Sequence, residues 1–244
     1  MEVDVRTRLG AVVLAALVVG ALSVALPRVL GLAIRQFQST TQVLAPSPTT
    51  KPAEVYVAQL APLNAQVSNQ AASGKATFIV NGDYLTVRVE AEGLSPDTMH
   101  MQLIHGFVDG MEAGCPRAYA DANNDGVVDS AETPPFSGAA LVPLHGDPVS
   151  LDIISETYPT ATREGTIRYE RTFSLSSLET ALEARYGIWD LALERRAVVL
   201  YGVAPTAALP QQVQSISGMT AQKTLPVACG EIDRVETGGS TGTP

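Results

Sequence analysis

A segment of twelve residues, 121–132, carries the oxygen-bearing side chains whose spacing indicates a defined chemistry. Acidic or amide residues stand at its first, third, fifth, ninth and twelfth positions, and Gly126 stands at the sixth. Calcium takes roughly six to eight oxygen ligands, and a loop that gathers them needs a sharp turn at this glycine. The spacing therefore predicts a calcium site, with these ligands: Asp121, Asn123, Asp125, the backbone carbonyl of Val127, Asp129 and Glu132.

The residues on either side of this loop do not allow the helix pair of an EF-hand. Gly114 and Pro116 stand shortly before it, and Pro134 and Pro135 follow it almost at once. Proline interrupts helices, so neither flanking helix can be long. We therefore expect a static calcium loop inserted between strands, without the opening motion of a calcium sensor. The alternative is a solvated acidic turn that binds no metal.

Two cysteines, Cys115 and Cys229, are too few for a disulfide-rich scaffold but suit one bridge in an exported protein. A disulfide between them would hold the start of the calcium loop against the last predicted strand, and it would stabilise the fold by about 2–5 kcal/mol. Two free buried thiols are the alternative.

The three histidines, His100, His105 and His145, are the candidate ligands for a transition metal. His100 and His105 are five residues apart on a predicted strand, so on a regular strand their side chains point to opposite faces. They could share a metal only across a bulge, and structural hydrogen bonding is the favoured interpretation. The sequence has no phosphate-binding glycine loop and no His-Glu-x-x-His. We predict that the protein is not an enzyme.

The N-terminal segment, residues 1–35, predicts the compartment. Arg6 and Arg8 precede an uncharged run from Gly10 to Leu26, whose length lies between a signal-peptide core and a membrane span. Basic residues in front of such a run favour a cytoplasmic N-terminus, with the rest of the chain exported. No clean cleavage site follows, so we favour an uncleaved apolar helix that anchors the protein to the cell membrane. The alternative is a cleaved signal peptide and a secreted protein.

Composition divides the rest of the chain. Residues 36–53 are rich in Ser, Thr, Gln and Pro, which predicts a flexible linker. A folded domain is predicted over 54–235, and a flexible Gly/Ser/Thr-rich tail over 236–244. The net charge of −9 and the isoelectric point near 4.8 disfavour nucleic acid as a partner.

Short apolar runs between Gly, Pro and Asp turns predict an all-β, antiparallel, Greek-key-like sandwich. Asn81-Gly-Asp83 lies between two such runs and predicts a hairpin. One short helix is predicted, with Ser176 as its N-cap and Gly187 as its stop. The predicted strands cover residues 54–60, 75–80, 84–91, 99–107, 139–144, 149–154, 166–175, 197–203 and 225–232.

Taken in order, these segments resemble the CHRD (chordin-like) domain found in exported bacterial proteins. The resemblance spans about residues 54–233 and implies an all-β sandwich similar to the Cu/Zn superoxide dismutase architecture. It rests on these pieces and on the loop: Leu60–Asn64, Gly74–Thr77, Gly82–Val87, Gly93–Pro96, His100–Gly106, Gly114–Pro116, Gly165–Tyr169, Ala197–Leu200 and Leu225–Gly230.

Two positions depart from the family pattern. Leu103 stands where the family commonly has the first histidine of a His-x-His-Gly pair, and Tyr201 stands where relatives often have the histidine of Leu-His-Gly. Both changes remove imidazoles that could otherwise converge on a metal.

We therefore expect an exported, non-catalytic β-sandwich that is stabilised by Ca²⁺ and serves as an envelope-associated or extracellular interaction domain. Its expected partners are the membrane, through the N-terminal anchor, and an unidentified extracellular protein or envelope component. The alternative is a Cu/Zn superoxide dismutase-like enzyme in which the three histidines bind copper or zinc. A structural module without any ligand is the third possibility.

Overall fold

The computed structural model describes residues 52–68, 71–216 and 218–236. Strands dominate this part of the chain and the helices are short, so the predicted all-β class is confirmed. The predicted apolar helix of residues 1–35, nearly all of the linker and nearly all of the tail lie outside the described residues. Within those ranges, no helix has the length and apolarity that a membrane span requires.

The described strands form one antiparallel sheet, in the order β5-β4-β7-β8-β1-β2-β3-β6. Their bounds are β1 Glu54–Pro62, β2 Ser73–Asn81, β3 Tyr84–Glu92, β4 Gln102–Gly106, β5 Ala139–Pro143, β6 Ile167–Ser174, β7 Ala197–Tyr201 and β8 Pro226–Arg234. The predicted hairpin is confirmed, because β2 and β3 pair from Asn81↔Tyr84 onward.

The strand predicted over 149–154 is wrong. A 3₁₀ turn, Pro148–Ser150, occupies its start, and Leu151 follows with a left-handed φ of 56°. Pro148 has no N–H to give to a sheet, and the left-handed residue turns the chain out of an extended path. The apolar residues of this stretch therefore pack against the core from a turn and not from a strand.

The last strand, β8, lies in the middle of the sheet and pairs with both β1 and β7. Its backbone approaches β1 closely at Gly230, where a Cβ atom would overlap the carbonyl oxygen of Gln59. Only glycine permits this approach, which places β8 between β1, far earlier in the sequence, and β7, the strand just before it.

The hydrophobic core receives side chains from both ends of the sheet. On β3, Leu85, Val87 and Val89 are buried while Arg88 and Glu90 are exposed, as the alternating pattern predicts. Strands β4 and β7 are buried along their whole length and hence on both faces. Their second face forms a separate cluster, in which Leu103, Val199 and Tyr201 lie with Tyr158 and Cys229.

The predicted helix is present as α3, Leu175–Tyr186, after the shorter α1, Ala65–Ser68, and α2, Pro134–Ser137; α4, Ala221–Thr224, comes later. Gly187 ends α3 with a φ of 73°, as predicted. The N-cap, however, is Ser174 and not Ser176, since the Ser174 hydroxyl accepts the Ser177 amide. Asp83 of the β2–β3 turn fixes this choice: its carboxylate accepts the Ser174 hydroxyl and the Ser176 amide.

Candidate functional site

The loop 121–132 lies between two short turns of helix. A 3₁₀ turn, Ala118–Ala120, precedes it, and the single turn of α2 follows it. This is the arrangement expected for a calcium-type loop without a helix pair, and it offers no long helices that could open and close.

Side-chain oxygens in the first half of the loop accept hydrogen bonds from the loop's own backbone. The carboxylate of Asp121 accepts the amides of Asp125 and Gly126, at 3.1 and 2.8 Å. The Asn123 side-chain oxygen accepts the Asp125 amide at 2.8 Å, and the Asp125 carboxylate accepts the Val127 amide at 2.9 Å. Gly126 has a φ of 88°, which glycine adopts without strain. These contacts turn the chain around the three side chains.

Glu132 closes the loop from its other end. One carboxylate oxygen accepts the amides of Ala122 and Asn123, at 2.8 and 3.2 Å. The other accepts the amide of Asp129 at 3.1 Å. The twelfth residue of the loop therefore contacts the second, third and ninth, as a closing residue should.

Asp129 is fully buried and bonds outside the loop. One of its oxygens accepts the Ala131 amide at 2.8 Å, and the other accepts the Gln214 amide at 2.6 Å. The Ser130 hydroxyl donates to the Gln214 carbonyl at 3.1 Å. Asp129 thus joins the loop to the segment before α4, a link that no sequence motif predicts.

These oxygens do not converge on a common point in the structure. Across the described ranges, no group of three or more His, Cys, Asp or Glu side chains is arranged to hold a metal ion. The donor chemistry nevertheless fits calcium, because carboxylate and amide oxygens are its preferred ligands. An ionised carboxylate has about four lone-pair sites, so the amide contacts leave acceptor capacity on each of these side chains.

Asn64, which follows β1, holds the loop against the sheet. Its side-chain amide donates to the carbonyls of Val128 and Pro226, at 2.8 and 3.0 Å, and its oxygen accepts the Val128 amide at 2.9 Å. Asn64 is buried and has a left-handed φ of 54°, a conformation that asparagine tolerates better than most residues. The sequence motifs did not predict this contact. An asparagine just after an apolar strand is the signal that could have suggested it.

The predicted disulfide between Cys115 and Cys229 is confirmed, with 5.7 Å between the two Cα atoms. It joins the segment before the loop to β8. Together with Asn64, the disulfide lines a cavity of about 570 Å³ between the end of β1 and the loop, in which Asp121 also takes part. The loop is therefore held to the sheet by one covalent bond and by one buried amide.

The three histidines have separate hydrogen-bond partners, although β4 has a register shift between Ile104 and His105. His100 has its two ring nitrogens 3.1 Å from the carbonyl oxygens of Tyr201 and Ser95. His145 donates from Nε2 to the Asp152 carbonyl at 2.9 Å and accepts the Asp147 amide at Nδ1. Each ring nitrogen faces a protein partner, which matches the structural hydrogen bonding that the sequence favours.

His105 and Tyr201 form a buried pair. The Tyr201 hydroxyl donates to Nε2 of His105 at 2.8 Å, and Nδ1 of His105 donates to the Gly138 carbonyl at 3.3 Å. Burial lowers the pKa of His105 to about 4, although the Gly138 contact opposes this shift. Burial also raises the pKa of Tyr201. Both groups are therefore neutral and act as an internal hydrogen-bonded pair.

A comparison with protein-family models and another with curated proteins give no match to this chain.

Proposed function

We propose that this protein is an exported, calcium-stabilised, non-catalytic domain of the CHRD type that serves as an interaction module at the cell envelope or outside the cell. The observation that carries the proposal is the closed loop, in which Glu132 binds the amides of residues at the loop's beginning and Asp129 binds its surroundings. The oxygens that could bind an ion therefore lie on a backbone that already has the conformation of a closed loop.

The negative charge of the loop favours the binding of a cation. Four carboxylates lie within twelve residues, and none of them has an ion-pair partner among the described side chains. Asp129 is fully buried, and a buried charge is unfavourable unless it is compensated. A calcium ion would supply that compensation as some amide contacts of Asp121, Asp125 and Glu132 give way to the ion. Asn123 and the Val127 carbonyl would complete its ligands, and Asp129 would bind directly or through water.

We also propose that the sheet folds over as a Greek-key-like sandwich, similar to Cu/Zn superoxide dismutase. The support is that β8 pairs with both β1 and β7. In addition, Ile104 on β4, Val87 on β3 and Val198 on β7 share one core cluster. A flat sheet could not bring the side chains of such distant strands into one core.

For the compartment, we propose that the chain is exported and held at the outer face of the membrane by its N-terminal segment, or is secreted if that segment is cleaved. The Cys115–Cys229 disulfide supports an oxidising environment. An extracellular protein or an envelope component is the proposed partner. No observation favours the Cu/Zn enzyme, since each histidine ring nitrogen faces a protein partner.

Calcium titration by calorimetry tests the metal proposal directly, with Glu132→Gln as the test variant. Glutamine keeps the size of the side chain and an oxygen for the amides but removes the charge. We expect the wild type to bind one calcium ion and E132Q to bind it at least about tenfold more weakly, which corresponds to roughly 1.4 kcal/mol.

Glu164→Gln is the matched control, because Glu164 lies exposed in a turn outside the loop and the variant loses the same charge. A wild type that binds no calcium, or equal weakening in both variants, contradicts the proposal. Elemental analysis of the purified protein covers the rival, since stoichiometric copper or zinc would favour the enzyme.

A further inference from the structure

Trp189 is the only tryptophan in the chain, and 81% of its surface is exposed. Tryptophan is on average a well-buried residue, so a ring that is this exposed is informative. No described aromatic ring or guanidinium stacks on it. Its flat apolar face is therefore open to a ligand.

A groove of about 450 Å³ lies beside this ring, between Val108–Gly110 and residues 187–196. Val108, which is 58% exposed, adds a second apolar group to its wall. The walls are fixed from behind. Arg195 donates to the Gly110 carbonyl at 2.9 Å, and the buried Arg196 donates to the carbonyls of Phe107 and Leu191 at 2.9 and 2.7 Å. The groove is thus formed before any ligand binds, as small-molecule sites usually are.

The polar groups of the groove are mostly acceptors. Asp109, Asp190 and Glu194 line it, and the two aspartates each use one oxygen to accept a neighbouring amide. Their remaining oxygens can accept hydrogen bonds from hydroxyl groups. The two arginines among the lining residues leave one net negative charge, which disfavours an anionic ligand.

We propose that this groove binds a neutral oligosaccharide. A sugar ring has an apolar C–H face that can pack on Trp189, and a rim of hydroxyls that can donate to the carboxylates. A lipid surface fits less well, because inserting Trp189 and Val108 would also desolvate the three carboxylates beside them. The inference rests on the proposed interaction role and names its partner class, and it does not depend on the calcium loop.

Fluorescence of Trp189 gives a direct test, because no other tryptophan contributes to the signal. The protein is titrated with cellotetraose and with chitotetraose as neutral probes, with tetragalacturonate as the anionic control and with phosphatidylcholine vesicles as the lipid control. We expect a saturable change with at least one neutral probe and none with tetragalacturonate. No saturable change with either neutral probe, or a change only with phosphatidylcholine vesicles, overturns the proposal.

Calorimetry with the responding probe then separates Trp189 from a general effect. Trp189→Ala should reduce its affinity at least about tenfold, while Tyr84→Ala, which removes another exposed aromatic ring outside the groove, should leave it unchanged. Equal affinity in W189A and the wild type contradicts the assignment. Calcium binding, measured on the same samples, shows separately whether the proposed metal function holds.

Discussion

His105 lies in the interior as a single tautomer, because Nδ1 donates to a carbonyl and Nε2 accepts the Tyr201 hydroxyl. A second proton on the ring would place a positive charge in the interior, away from water. Its pKa is therefore lowered from 6.5 to about 4 by burial. Burial lowers the pKa of His100 as well, although its two carbonyl neighbours act in the opposite direction.

The depressed pKa of His105 predicts how stability depends on pH. The unfolded chain binds a proton at this residue near pH 6.5, but the folded protein does so only near pH 4, so stability should fall as the pH is lowered through this window. This linkage at His105 lowers the free energy of unfolding by up to about 3 kcal/mol at the low-pH end of the window. Denaturant unfolding at a series of pH values measures it.

His105→Gln removes the titrating group and should flatten this pH dependence, even if the variant is less stable at every pH. The slope between pH 6.5 and 5 is the useful quantity, because the carboxylates titrate mostly at lower pH. Equal slopes in the variant and the wild type would show that His105 does not titrate as its burial requires.

The candidate loop and the disulfide could be recognised in the sequence, while the calcium role of the loop stays a prediction. The oxygens of residues 121–132 follow one another in the chain, and two cysteines leave one possible pair within it. Asn64 could not be predicted, because its partners Val128 and Pro226 are 64 and 162 residues away. Nor did the sequence indicate that Tyr201 would bind His105, 96 residues earlier.

Among the elements, α3 is a case in which the local sequence pattern does not determine where the helix starts. Ser174, Ser176 and Ser177 are all possible caps, and the position of Glu179 three residues after Ser176 suggests the wrong one. In the structure Glu179 accepts the Leu191 amide, and Asp83 from a distant hairpin binds Ser174 and the Ser176 amide. A tertiary contact therefore selected the helix start.

The connection between β1, the loop and β8 depends on Asn64, which gives a second prediction. Asn64→Ala removes three hydrogen bonds, leaves the Val128 amide without its acceptor and places alanine at a φ of 54°. The expected loss of unfolding free energy is about 2–4 kcal/mol. Chemical denaturation measures it.

Gln66→Ala is the control for this substitution. The Gln66 side chain donates to the Gly126 carbonyl at 2.9 Å, but the contact is exposed to water, so its loss should change stability by less than about 1 kcal/mol. If Asn64→Ala were as mild as Gln66→Ala, the buried amide would not hold the loop to the sheet.

At the scale of the whole molecule, the sheet order could not be predicted from the sequence. Eight of the nine predicted strands are present among the described residues, but nothing in their local patterns places β8 between β1 and β7. That placement brings β8 into close backbone packing with β1 at Gly230, a contact between distant parts of the chain.

These long-range contacts make the loop a part of the global fold. Asn64 joins the loop to β1 and β8, and the disulfide joins the segment before the loop to β8. The Gln214 amide, in the segment before α4, binds Asp129. A ligand that orders the loop should therefore stabilise the whole domain, because the loop cannot separate without breaking contacts to the sheet.

Thermal unfolding with saturating calcium, compared with unfolding in chelator, measures whether calcium stabilises the domain. An ion that binds only the folded state at about one hundred times its dissociation constant adds roughly 2.7 kcal/mol, which for a domain of this size raises the Tm by roughly 5–10 °C. We expect that rise in the wild type and in Glu164→Gln, and about half of it or less in Glu132→Gln, because tenfold weaker binding leaves at most roughly 1.4 kcal/mol. Wild-type melting curves that coincide in calcium and in chelator would contradict the proposal that calcium stabilises this fold.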